Sequence, residues 1–164
     1  MQTTSMMDSR PVRALDARHA LALIRIGLGM LFVWAFFENL GKGLYTPKGY
    51  ADLITYYATE GHAPEAWKAV MSLMASNAAV AAPLQAVTEI SFGTLLVLGV
   101  LSRPVALAAA VFLTSLWVSE WGTAWIWELL FPMIAAYALA LDTPGRTWGL
   151  DAWLARRFPH LPLW

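Results

Sequence analysis

The chain has 164 residues, no cysteine, and a formal net charge of +0 from 11 Lys plus Arg and 11 Asp plus Glu. Hydrophobic residues make up 59% and charged ones 13%, about half the charged share of roughly a quarter in soluble domains. So much apolar surface exceeds what one small water-soluble core can hide. The charge balance leaves no basic patch for nucleic acid, and the missing thiols exclude disulfides, iron–sulfur clusters and CxxC redox pairs.

Residues 1–19 are polar, carry Arg10, Arg13 and Arg18, and read as a short cytoplasmic lead. The apolar run that follows is too long for a cleaved signal and lacks a small-x-small site. ALALIRIGLGMLFVWAFFENL, Ala20 to Leu40, is the first expected membrane span. About 20 residues at 1.5 Å rise cross a hydrocarbon core of ~30 Å. Arg25 and Glu38 are its only charges.

Residues 41–77 form a polar loop with two amphipathic stretches, broken at Gly61–Pro64. They read as short helices on the membrane surface, or as part of a lid over the bundle. The second and third spans are expected at 78–101 and 104–121, joined by a turn at Ser102–Pro104. Gly122–Thr123 leads into a fourth span at 124–142, which Thr143–Arg146 stops. The remainder, with Trp148, Trp153, Arg156 and Arg157, reads as an amphipathic cytoplasmic tail. The expected fold is therefore all-α: one integral membrane domain, 1–164, built as a bundle of four transmembrane helices, with amphipathic surface helices in the first outer loop and at the C-terminus.

An even number of spans puts both termini on one side. That side, with the 102–104 turn, holds Arg10, Arg13, Arg18, Arg103, Arg146, Arg156 and Arg157, against Lys42, Lys48 and Lys68 on the other. The excess of cations places the termini in the cytoplasm and the protein in the cell (inner) membrane. Trp117, Trp121, Trp125 and Trp127 then flank the outer turn as an aromatic belt, with a cofactor box as the competing reading.

Acids inside spans are costly, about +2.5 to +3.5 kcal/mol for such a group at a helix centre. Glu89 sits mid-span, with Gln85 four residues before it and Gly93 four after, on one helical face that must point inward. It reads as a proton-carrying or ligand-binding group, or else as a packing device. Glu38, Glu120 and Glu128 share a level near the outer ends of spans one, three and four, each next to a ring: Trp34, Trp117 and Trp125. Glu120 by itself reads as a solvated acid at a helix end. Glu128 lies a turn deeper, and Pro132 deprives its carbonyl of the i+4 donor. Arg25 reads as snorkelling outward, the alternatives being a head group or an inward carboxylate. His19, His62 and His160 are scattered, and no HxxxH, Walker, GxSxG or GxGxxG motif is present. No metal, haem or flavin site is expected.

RIGLGMLFVWAFFENLGKG, EISFGTLLVLGVLSRPVALAAAVFL and DTPGRTWGLD occur in that order, from about Leu21 to Asp151. Together they resemble the DoxX/DoxD-like membrane proteins. The resemblance implies a small four-helix membrane protein, one branch being the membrane subunit of thiosulfate:quinone oxidoreductase, associated with a terminal quinol oxidase. It marks Arg25, Glu38, Glu89, Arg103, Arg146 and Asp151 as family-like positions. The expected function is a quinone-linked redox subunit, with Glu89, Glu128 and Glu38 as proton-handling carboxyls. Trp34, Trp117, Trp125, Gln85 and Arg25 are the expected contacts to a quinone. The alternatives are a non-catalytic anchor for a redox or oxidase partner, or a small permease. Expected partners are lipid and either a second subunit or further copies of the chain.

Overall fold

The computed structural model describes residues 16–125, 127–161 and Leu163. The polar lead with Arg10 and Arg13 lies outside the described residues. Among the described residues, seven α-helices follow in order: α1 Ala17–Gly41, α2 Pro47–Glu60, α3 Glu65–Ser76, α4 Ala78–Leu98, α5 Ser102–Ser119, α6 Trp127–Ala140 and α7 Asp151–Arg157, with a 3₁₀ turn at Pro144–Arg146. No strand occurs among the described residues.

Three helices, α1, α4 and α5, are long and apolar enough to cross a membrane. The fourth expected span is shorter than its sequence: α6 has 14 residues, or about 21 Å at 1.5 Å each. Residues 122–125 remain in the turn. Leu23, Met30, Leu84, Val87, Val111 and Phe131 all lie exposed on the outside, an apolar coat that suits lipid as solvent.

Local signals set the helix ends. Thr46 accepts a hydrogen bond from the Gly49 nitrogen at 3.1 Å, and Pro47 occupies the first helical position of α2. Gly99, at φ 67°, ends α4 in the left-handed region. Pro104 falls in the first turn of α5, where its missing N–H costs nothing. The expected 102–104 turn is thus already helix.

α1 packs along α4 and α5 along α6, while α1–α6 and α4–α5 contacts close the ring. Its core contains Phe32, Leu96, Leu113 and Leu139, with Phe32, Phe92 and Phe112 in mutual contact at centroid separations of 5.5–6.2 Å. The α1–α4 contact depends on two missing side chains. A Cβ at Gly93 would lie 2.7 Å from Val33 Cγ2 and 3.0 Å from the Gly29 oxygen. Gly93→Leu is therefore expected to wedge the helices apart and destabilise the protein by about 1–3 kcal/mol, read as a lower thermal midpoint in detergent.

α2 and α3 pack on each other and across one end of the ring, touching α4 and α5. A second core of Tyr50, Ile54, Met71, Ala78 and Ala82 joins them to α4. Trp67 Nε1 donates to Ser119 Oγ at 2.9 Å, and the His62 nitrogen donates to the Trp121 oxygen at 2.6 Å. The amphipathic stretches thus cover the bundle end, the arrangement of a lid.

The opposite end carries a clamp. Arg25 is 0% exposed, so the expected snorkelling is corrected: its guanidinium turns inward. Nη1 donates to the Leu96 and Val97 oxygens at 2.6 and 3.3 Å, and Nη2 to the Trp148 and Thr147 oxygens at 2.9 and 3.4 Å. The buried Asp151 carboxylate accepts from the Leu101 nitrogen at 2.7 Å and the Ser102 nitrogen at 2.9 Å. A cation thus meets the last carbonyls of α4 and an anion meets the first N–H groups of α5, each the sign that helix terminus favours. The snorkelling reading failed because Arg25 finds open carbonyls inside the protein, on the end of α4 and on the packed tail. The Leu150 and Asp151 nitrogens also donate to Leu98 and Gly99, and His19 meets Trp148 edge-on at 5.1 Å. The start of α1 and the tail therefore share one end.

Candidate functional site

Glu89 is 3% exposed and faces the bundle interior. Three side-chain donors converge on it: Tyr45 OH at 2.6 Å, Gln85 Nε2 at 2.8 Å and Asn39 Nδ2 at 3.1 Å. They come from three places. Gln85 precedes Glu89 by one turn of α4, Asn39 ends α1, and Tyr45 sits in the short α1–α2 loop, its ring stacked on Phe36 at 5.4 Å. A carboxylate accepts all three at once, since its two oxygens offer about four acceptor sites.

Glu89 and Gln85 line a cavity of about 340 Å³ between the bundle and α2. Its wall continues through Tyr50, Tyr57, Ser119 and Glu120, with Lys42 also on it. The Tyr57 hydroxyl donates to Glu120 Oε1 at 3.4 Å. Tyr50 is buried, and its hydroxyl has no hydrogen-bond partner among the described residues. Burial, then the bond to Glu89, pushes the Tyr45 phenol up; burial, then the Glu89 charge, does the same to Tyr50. Burial, then Glu120, raises Tyr57. Just past the end of α5, burial pushes Glu120 up to about 7, opposed by the Tyr57 hydrogen bond and reinforced by the Glu128 charge.

An acid whose folded pKa is raised stabilises the fold fully below its ordinary value and loses that contribution as pH rises through the folded one. The thermal midpoint is thus expected to fall as pH rises from about 5 to about 8, and Glu120→Gln should flatten that slope.

The other expected site residues lie elsewhere. Trp34 and Trp125 are 74% and 70% exposed. Glu38 is exposed and paired with Lys42 at 2.6 Å. Glu128 is exposed in the first turn of α6. Trp117 is half-buried and stacks on Trp121 at 5.8 Å, and Arg25 belongs to the far clamp. The expected ring-and-acid level is split: Trp117 and Trp125 line a small pocket with Glu120, which also borders the Glu89 cavity, while Trp34, Glu38 and Glu128 line neither. Of the expected site residues, Glu89 and Gln85 line the larger cavity, and Glu120, read alone as a solvated acid, joins them.

Spacing of three or four states which residues share a face; it does not state which face points inward. On α1 the inward face toward α4 is that of Gly29 and Val33, which leaves Trp34 outside. The residues that sequence reasoning missed are Asn39, Tyr45, Tyr50 and Tyr57, and Glu120 was read as a solvated acid. A signal for two of them was present, since Tyr50 and Tyr57 are seven apart, two turns, on one face of the amphipathic α2.

No curated protein and no solved structure matches the chain. The model of the family described as DoxX matches residues 20–120. That match runs from α1 to the end of α5, over the Glu89 cavity and Arg25; the DTPGRTWGLD segment lies beyond it. With more than half of the chain matched on an all-helical plan carrying three candidate spans, this is a membrane protein that belongs to the DoxX family.

Proposed function

We propose that the chain is the membrane subunit of a quinone-linked redox complex of the thiosulfate:quinone oxidoreductase type. In this reading the Glu89 cavity receives a quinone head and Glu89 handles its protons. The observation that supports it is a buried carboxyl, bound by three donors, on the wall of a cavity of about 340 Å³, within the size range of small-molecule sites. Reducing a quinone takes two electrons and two protons. The chain has no cysteine, so a redox partner subunit supplies the electrons and the carboxyl delivers protons. In this reading α6 serves as a fourth, shorter span, and the arginine excess in the sequence supports cytoplasmic termini.

A second reading, a non-catalytic anchor, draws on the outward placement of Trp34, Trp125 and Glu128, which offers a polar and aromatic surface for a partner. One experiment separates the two. The purified chain in lipid nanodiscs is titrated with a short-tailed benzoquinone and followed calorimetrically. Saturable binding that Tyr50→Phe weakens is the expected result; no binding, with a second polypeptide retained on native purification, replaces the first reading with the anchor.

A further inference from the structure

The cavity holds more chemistry than a head group and one acid require. Glu120 lies on its wall at the α2–α3 end, and the Tyr50 phenol stands on the same wall as Glu89, buried and unpartnered. A buried hydroxyl left unbonded costs about 1–3 kcal/mol, so one on a residue of the cavity wall gains by a small ring shift that lets cavity water bond it. A phenol donates one hydrogen bond and accepts others, so it can take a proton on one side as it releases one on the other.

We propose that Glu120 is the proton-exchange group of this cavity, trading protons with water at the α2–α3 end and passing them through cavity water and the Tyr50 hydroxyl to Glu89. This rests on the Glu89 cavity as the seat of function and adds its proton route. A hydronium ion yields one proton to the Glu120 carboxylate. The acid passes it to a cavity water, and Tyr50 accepts it while releasing its own proton toward Glu89. Only O–H bonds break and form, and no electrons move.

The surroundings of Glu120 suit exchange. Tyr57 from α2 and Glu128 from the start of α6 act on it directly, and Tyr50 from α2, Glu89 from α4 and Lys42 just past α1 share its cavity wall. His62, from the α2–α3 loop, packs against Gly122 just beyond it. Lys42 is engaged by Glu38, while the Glu128 charge favours the protonated form and the Tyr57 bond the ionised one. Glu120 is thus poised to exchange near neutrality.

The test uses the full chain in nanodiscs and infrared spectroscopy, with no quinone added. One carboxyl band should titrate near neutral pH, vanish in Glu120→Gln, persist in Glu128→Gln and move to higher pH in Tyr57→Phe, which loses the opposing hydrogen bond. After transfer to deuterated buffer, the Tyr45 hydroxyl bound to Glu89, assigned with Tyr45→Phe, should exchange about tenfold more slowly in Tyr50→Phe and Glu120→Gln. A neutral-range band that survives Glu120→Gln, or exchange unchanged in both variants, overturns the proposal. If Glu120→Gln does not accumulate, an unmoved band in Tyr57→Phe overturns it equally. Failure of wild-type quinone binding with these results intact removes the quinone and leaves the proton route; normal binding with unchanged exchange removes the route alone.

Discussion

Glu89→Gln is expected to leave a folded protein and to lower quinone-dependent turnover of the reconstituted complex by about 10²-fold or more, the range over which a positioned acid–base group acts. The substitution keeps the side chain's shape and one acceptor oxygen. It replaces the other oxygen with an NH₂ group that confronts the donors from Asn39 and Tyr45. Folding is retained because Gln85 and Asn39 are amides that can flip to present oxygen instead of nitrogen. Glu38→Gln is the matched control, since that acid is exposed, pairs with Lys42 and lies off the Glu89 cavity wall. Its turnover and melting should stay at the wild-type level. Equal losses in the two variants would remove Glu89 from proton handling and make both acids structural.

Asp151→Ala is expected to give the largest loss of stability, about 3–5 kcal/mol, as removing one partner from a buried charged network does. The carboxylate alone satisfies the Leu101 and Ser102 nitrogens, and without it the start of α5 is buried with unpaired donors. Asp151→Asn should recover part of the loss, because its amide oxygen can still accept one of the two bonds. Thermal unfolding in detergent reads this directly. An alanine variant as stable as wild type would show that water reaches the α4–α5 turn and replaces the carboxylate.

Much of the frame was legible from periodicity and length. The apolar runs placed α1, α4 and α5, and Gly61–Pro64 separated two amphipathic stretches that became α2 and α3. Glu89 was legible for an energetic reason: an acid in mid-span must find donors inside the protein, and Gln85 stood one turn away. Fine placement was not legible, because helix rotation is set by neighbours. The Gly29–Gly93 contact turns Trp34 outward, and the lid, by covering one end, makes an interior of what the sequence presents as a helix terminus at Glu120. Arg25 failed as a snorkelling cation for a long-range reason. Its acceptors at Leu96 and Trp148 are 71 and 123 residues away, and no local window contains them.

The clamp also bears on biogenesis. Thr147 to Asp151 are synthesised after all four apolar helices, yet they supply the groups that close the α4–α5 turn. The α4–α5 hairpin therefore leaves the ribosome with raw helix ends, and they are sealed only once residues 147–151 have been added. Closing this turn is thus a late, long-range event in folding, separate from the local pairing of α4 with α5.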